Sequence, residues 1–284
     1  MMNKKFDVVI GNPPYNSPKI KDYKGRGGRN IVWEDFVRLA IVLVKEDGYV
    51  SLIHPPGWRK PKNEIWSLLT EFDIKFIRFF NEAAGFKYFK SQTRFDYYLL
   101  QKKSYCNKTI VVDEKGMSHS IDIKKWPWLP SGEFNLIYSI LAVEDEKKCN
   151  ILYSRAAYGR DKEWMSEIED ERYFIPCIHS IRKNKVRYMY CSKDNGFLNI
   201  PKVIISENGK IHDVVIDMEG HFAFTSGCFA IPISSEEEGE GIREALKSEK
   251  FNRLVQATKW SSFRIEYQMF RYFRCDFWKE FVSC

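Results

Sequence analysis

Apolar positions along this chain recur with two different periods. Residues Phe6 to Ile10 run Phe-Asp-Val-Val-Ile and stop at Gly11-Asn12-Pro13-Pro14, which reads as a short buried strand ending in a turn. Trp33, Phe36, Val37, Ala40, Ile41 and Val44 then fall on one helical face, and Gly48 stands where a helix end accepts a left-handed residue. A helix of about three to four turns is predicted there. Tyr49 to Ile53 reads as a strand and Ile74 to Phe80 as another. Between them, Pro61 to Phe72 reads as a helix with proline in its first turn and Ile65, Leu68, Leu69 and Phe72 inward. Tyr97 to Gln101 adds a further strand, and the alternation is that of a wound α/β sheet.

The rhythm breaks at Trp126-Pro127-Trp128-Leu129-Pro130-Ser131-Gly132, so the chain is expected to divide into domains 1–128 and 129–284. Beyond the break, Val203 to Ser206, Val214 to Asp217 and Phe229 to Ile233 read as strands. Glu240 to Thr258 and Phe263 to Phe277 read as helices, which makes the second half α+β. The run Glu236-Glu237-Glu238 reads as a solvated turn.

Composition narrows the function classes. With 284 residues, 44% hydrophobic and 29% charged, the chain is globular and long enough for two cores, and no apolar run reaches the length of a membrane span. The apolar stretch after Lys4 and Lys5 is too short for an export signal and contains Asp7. Seven cysteines without a C-x-x-C pair imply neither a disulfide framework nor a zinc site, and Cys177 with His179 is a lone C-x-H, so a cytoplasmic protein without a metal is expected.

A net charge of +7 suits a polyanionic partner without requiring one. Lys19, Lys21, Lys24, Arg26 and Arg29 crowd a segment that also holds Gly25, Gly27 and Gly28, predicting a mobile loop at the mouth of a site. Arg182, Lys183, Lys185, Arg187 and Lys193 interleave with Tyr188 and Tyr190, a pattern that fits phosphate contacts or, equally, a solvated basic strand. Arg155, Tyr158, Arg160, Lys162 and Trp164 form a second polar and aromatic cluster. A third, Trp260, Phe263, Arg264, Tyr267, Phe270 and Phe273, has the spacing of a helix core. Lys19, Lys21, Arg26, Arg29, Arg160, Arg182, Lys183, Lys185 and Arg187 are the candidate DNA contacts.

The sharpest chemical signal is Asn12-Pro13-Pro14-Tyr15. An exocyclic adenine amine is planar and poorly nucleophilic because its lone pair is delocalised into the ring. Two acceptors aimed at its two hydrogens would draw it toward tetrahedral geometry and stabilise the charge that grows on nitrogen during alkylation. An asparagine oxygen and a proline carbonyl are such acceptors. Two successive prolines stiffen the backbone between them, and a tyrosine ring can stack on a base swung out of a duplex.

Phe6 to Asn16 resembles motif IV of the amino-directed methyltransferases. Gly48-Tyr49-Val50-Ser51-Leu52-Ile53-His54-Pro55 with Trp58 is similar to the following strand and loop, and Thr93-Arg94-Phe95-Asp96-Tyr97-Tyr98 to the final strand region. The tail looks like the target-recognition part of Eco57I-like restriction-modification enzymes. The resemblance implies a partial Rossmann-like methyltransferase sheet followed by an α+β target-recognition domain. It also implies N6-adenine methylation of double-stranded DNA, S-adenosyl-L-methionine as donor, Asn12 and the Pro13 carbonyl on the amino group, and Tyr15 on the base.

One part of that pattern is missing. The glycine turn and strand-end acid that hold the donor normally precede motif IV, and neither Thr225-Ser226-Gly227-Cys228 nor Met218-Glu219-Gly220 supplies a Gly-x-Gly after a strand. Gly25-x-Gly27-Gly28 has the spacing but follows a loop. A partner chain bringing the cofactor half, a second domain folded over the open strand edge, and an inactive homologue that still binds DNA all remain open, as does a restriction endonuclease subunit.

Overall fold

The computed structural model describes residues 5–17, 31–106, 108–183, 185–260 and 264–282. Lys19, Lys21, Arg26 and Arg29 therefore lie outside the described residues. The chain divides into two units between Gly132 and Glu133, a few residues beyond the Trp126 to Trp128 stretch.

The first unit is built on one mixed sheet. Its strands are β1 (Phe6–Gly11), β2 (Val44–His54), β3 (Phe72–Phe80), β4 (Phe95–Ser104), β5 (Thr109–Val112) and β6 (Ser118–Ile121), in the spatial order β1-β2-β4-β3-β5-β6. The β1–β2 and β3–β5 pairs are parallel, whereas β4 runs antiparallel to both β2 and β3. Helices α1 (Trp33–Leu43), α2 (Glu64–Leu69) and α3 (Glu82–Phe89) connect the strands. Val50, Ile74, Ile77, Tyr98 and Leu100 are fully buried and fix the core where β2, β4 and β3 meet.

Several details depart from the sequence reading. Strand β1 is not buried: among the described strands it pairs with β2 alone, and Phe6, Val8 and Ile10 are 46%, 56% and 78% exposed. A continuous apolar run cannot distinguish a central strand from an edge strand, because both faces carry the same residue types. The left-handed residue after α1 is Asp47 at φ 61°, not Gly48. Gly48 instead lies within β2, where a Cβ would come 2.7 Å from Val44 Cγ2 and 2.8 Å from the Asp7 carbonyl oxygen, so glycine permits β1 to approach. Helix α2 starts only after Pro61, where the Asn63 side chain accepts from the Ile65 amide at 2.8 Å and caps it.

The second unit holds two smaller sheets. One contains β7 (Met165–Ser166), β8 (Ile175–Arg182), β9 (Lys185–Cys191) and β12 (Ala223–Phe224) in the order β12-β8-β9-β7. The other contains β10 (Lys202–Ser206), β11 (Val215–Asp217) and β13 (Cys228–Pro232) in the order β11-β10-β13. Helices α4 (Phe134–Ile140) and α5 (Arg155–Tyr158) precede them, and α6 (Glu236–Lys247) and α7 (Glu249–Ala257) follow.

The acidic run Glu236 to Glu238 is the first turn of α6 rather than a turn before it. Ser235 Oγ accepts from the Glu238 amide at 3.2 Å, and the three carboxylates sit at the positive end of the helix dipole. The expected helix over 263–277 is absent from its described part. Two 3-10 turns, Tyr267–Tyr272 and Phe277–Glu280, take its place, and Phe270, Phe273 and Phe277, which would share one face of the expected helix, are all fully buried through these turns instead.

Gly48→Ala is expected to lower the stability of the first unit by about 1–3 kcal/mol, because a carbonyl oxygen must move to admit the methyl group. Urea unfolding followed by tryptophan fluorescence reads this directly, and an unchanged midpoint would refute the close approach of β1.

Candidate functional site

Asn12, Pro13, Pro14 and Tyr15 leave the end of β1 as one short segment. Asn12 and Pro14 are exposed, Pro13 is buried and Tyr15 is half-buried. The segment is tied back at its far end: the Val32 amide donates to the Tyr15 carbonyl at 3.3 Å, and Asn16 forms a bridge with Ile31.

Trp33, the residue after the Val32 that binds Tyr15, belongs to a cluster of rings. His54, at the end of β2, stacks on Trp33 of α1 with ring centroids 4.6 Å apart, and meets Trp58 and Tyr98 edge-on at 5.8 and 5.4 Å. Burial pushes the His54 imidazole down to about 4, so the ring is neutral near pH 7. Its Nδ1–H donates to the Pro55 carbonyl at 3.1 Å, leaving Nε2 as a bare acceptor. Burial, reinforced by the negative charge of Asp96, raises the Tyr15 hydroxyl to about 12. Tyr15 Oη, His54 Nε2 and Tyr98 Oη are buried without a hydrogen-bond partner among the described residues.

The cluster is anchored by one carboxylate. Asp96 accepts from Trp58 Nε1 at 2.8 Å, from Arg59 Nε at 2.7 Å and from Arg59 Nη2 at 3.1 Å, with both Arg59 and Asp96 1% exposed. Arg59 also donates to the Leu129 carbonyl at 2.8 Å and to Ser131 Oγ at 3.1 Å, and lies 3.8 Å above the Phe79 ring. Trp58 and Asp96 belong to segments whose sequence already stood out, but nothing local links Arg59 to a carboxylate 37 positions away.

Residues 1–86 match the family model described as Eco57I restriction-modification methylase. This Eco57I-matching segment contains Asn12 to Tyr15, His54, Trp58 and Arg59, and stops before Asp96. A Mycoplasma pneumoniae protein named "Uncharacterized adenine-specific methylase" is 34% identical over 130 residues, which is 43% of this chain and 30% of that protein. Among solved structures, the type IIL restriction-modification enzyme MmeI in complex with DNA superposes with a TM-score of 0.50 at 13% identity, covering 94% of this chain and 45% of MmeI. The likeness to MmeI speaks for the fold. The chain spans less than half the length of either protein.

A methyl donor of the kind such a family implies needs a glycine cradle at a strand end and a free acid beside it. Gly11 ends β1, but a Cβ there would meet only Leu52, at 3.7 Å, so no tight cradle is built around it. The close approaches at Gly48 and Gly85 are filled by the protein itself, and Asp96 is consumed by Trp58 and Arg59. The described residues do not fit S-adenosylmethionine.

In the second unit the basic candidates separate. Arg182, Lys183, Lys185 and Arg187 are all exposed on the β8–β9 hairpin. Arg160 pairs with Glu167, and Arg187 approaches the same carboxylate at 3.7 Å. Arg160 also lines a cleft of about 500 Å³ with Tyr153, Arg155, Asp161, Ser226 and Arg264. Arg155 and Arg264 were not among the candidate DNA contacts, since one sat in a mixed cluster and the other in an apolar one. His179, on β8, bonds through Nδ1 to Thr225 Oγ1 at 2.8 Å, and Cys177 is buried in the core.

Arg264 contacts Glu207 at 3.3 Å, and Glu207 is almost wholly buried. Burial raises its carboxyl from the ordinary 4.5 to about 7, against the opposing pull of Arg264.

Two outcomes are expected. Asp96→Ala should cost about 3–5 kcal/mol, and adding Arg59→Met should recover part of the loss, because the single change strands a buried charge; denaturant melts that give equal losses would reject that cause. Glu207 holds its proton more tightly folded than unfolded, so its contribution is complete below pH 4.5 and is lost as pH rises through 7. Glu207→Gln should therefore match the wild type at pH 4.5 and exceed it by up to about 3 kcal/mol at pH 8, measured by thermal melts across that range.

Proposed function

We propose that this chain carries the base-handling part of a restriction-modification DNA methyltransferase that modifies adenine N6 in double-stranded DNA. The observation that carries the reading is the presentation of Asn12 and Pro13: an exposed side-chain amide beside a buried, doubly proline-stiffened turn, at the exit of a parallel strand. The match of residues 1–86 to the Eco57I family and the name of the Mycoplasma relative support methylation and adenine respectively.

In this reading the Asn12 side-chain oxygen and the Pro13 carbonyl accept the two amino hydrogens of a flipped adenine, and Tyr15 offers its ring face to the base. The Tyr15 hydroxyl stays protonated near pH 7, so the ring brings no charge to the stack. Neutral His54 and the ring cluster around it hold the start of α1, whose neighbouring Val32 amide keeps the segment from relaxing when the base departs. S-adenosylmethionine is the methyl donor, bound by residues other than those described.

The exposed apolar side chains of β1 and of the outer side of α1, where Phe36, Leu39 and Val42 are 40%, 48% and 65% exposed, support a further α/β segment docked there. Such a segment would bring the donor. The second unit is read as the target-recognition domain, with the β8–β9 hairpin on the phosphate backbone. No described helix is long and apolar enough to cross a membrane, and the six described free cysteines fit the reducing cytoplasm.

Labelled methyl transfer to duplex DNA, assayed with the full chain alone and with the product of a neighbouring gene, tests the reading. Asn12→Ala is expected to lower turnover by about 10²–10³-fold with DNA affinity retained. Unchanged turnover would sink the assignment of Asn12, and DNA binding without transfer in either assay would leave a DNA-binding homologue instead.

A further inference from the structure

Three segments of the second unit converge on the cleft lined by Tyr153, Arg155, Arg160, Asp161, Ser226 and Arg264. The first is the stretch 153–161, which contains α5, the second is the turn between β12 and β13, and the third is the strand-like stretch in which Arg264 bridges Asn208. Three guanidinium groups face one carboxylate, so the lining carries a net charge of about +2. Like charges gathered around a shared space repel one another unless an anion or a carboxylate sits between them.

The two carboxylates that approach from outside neutralise this only in part. Arg160 is 61% exposed where it pairs with Glu167, which it shares with Arg187. Arg264 is 67% exposed and is held by Glu207, whose carboxyl burial raises to about 7, so that its negative charge is incomplete near neutral pH. The Arg160–Glu167 pair, exposed at both ends, contributes little, so its cation can change partners at small cost. Arg155 is exposed and forms no ion pair among the described residues.

We infer that this cleft is a phosphodiester seat, in which Arg155, Arg160 and Arg264 grip the backbone of the double-stranded DNA that the proposed methyltransferase modifies. The fork of a guanidinium matches two phosphate oxygens at once, and three forks with the Ser226 hydroxyl supply donors from several sides. The occupant is a polymer rather than a free anion, because the positive surface continues beyond the cleft. Arg160 and Arg187 both reach Glu167, which places the β8–β9 hairpin, with exposed Arg182, Lys183 and Lys185, beside the cleft. The flat face of Tyr153, stacked on Tyr267 at 4.1 Å, leaves apolar wall for a sugar.

The inference rests on the reading of the chain as a DNA-modifying enzyme, and its test separates the two. Fluorescence anisotropy with a labelled DNA duplex, using the full chain, would be run across a range of salt concentrations. Arg155→Ala should weaken binding roughly tenfold on every duplex sequence and lower the salt-dependence slope by about one, with an unchanged melting temperature. Arg155→Lys should recover the slope but only part of the affinity, since charge is kept and the fork is lost.

Unchanged affinity and slope in Arg155→Ala and in Arg155→Ala/Arg264→Ala, with the wild type binding duplex, would overturn the seat and leave the methyltransferase reading standing. Arg155-dependent DNA binding without methyl transfer would do the reverse. Tighter binding of a duplex RNA of the same sequence, or no binding of DNA by the wild type, would overturn DNA as the occupant.

Discussion

Asp96 receives three hydrogen bonds from two adjacent residues, Trp58 and Arg59, and all of them are removed from solvent. A carboxylate and a guanidinium taken out of water cost several kcal/mol each unless their lone pairs and protons are matched. Here the matching extends further: Arg59 spends its remaining donors on Leu129 and Ser131 and its face on Phe79. One ion pair thus ties β4, the turn after β2 and the end of the first unit into a single rigid body. Its orientation is unique, because only one placement of the guanidinium satisfies both oxygens of Asp96 together with the Leu129 carbonyl.

Aromatic rings carry that rigidity to Trp33 at the start of α1, and the neighbouring Val32 amide binds the Tyr15 carbonyl. Trp58 is fixed by Asp96, His54 packs edge-on to Trp58 and flat on Trp33, and the Tyr15 hydroxyl is buried close enough to Asp96 to sense its charge. Two prolines restrict the backbone from within, and the Val32 amide holds the Tyr15 carbonyl at the far end of the segment. Acceptors aimed at a planar amine stabilise developing charge only if they need not reorganise as the charge appears, and the proposed role of Asn12 asks for this restriction. Three buried polar atoms without partners, on Tyr15, His54 and Tyr98, mark the same place as polar in an otherwise apolar layer.

Local chemistry in this chain was readable, and pairing over long sequence distances was not. The strand ending at Gly11 and the strands over 49–53, 74–80 and 97–101 follow from apolar runs and punctuating residues, and each occurs with altered ends. The apolar run Phe6 to Ile10 has the residue types of a central strand, so periodicity misread its burial, and only the missing donor turn pointed to an open edge there. The helical spacing of Phe270, Phe273 and Phe277 misled for a related reason: the rings satisfy burial through two 3-10 turns packed on α7, a tertiary solution with the same local spacing. In the candidate site, Asn12 to Tyr15 stood out as contiguous letters. Arg59 with Asp96, and Arg155 with Arg264, are assembled by the fold from distant positions, and no periodicity encodes them.

Arginine serves opposite ends in the two units, and burial decides which. Arg59 is 1% exposed and fully partnered, so no ligand can recruit it without breaking the first unit. Arg155 and Arg264 are exposed, one without an ion pair among the described residues and the other facing a carboxyl that burial inclines to hold its proton. A guanidinium is useful to a ligand only when leaving its present partners costs less than the new bonds return, and that condition holds in the cleft of the second unit and fails at Arg59. The net charge of +7 is accordingly a poor guide to where an anion would sit. What matters is which cations the fold has left with weak commitments, and among the described residues these gather on the β8–β9 hairpin and around the cleft beside it.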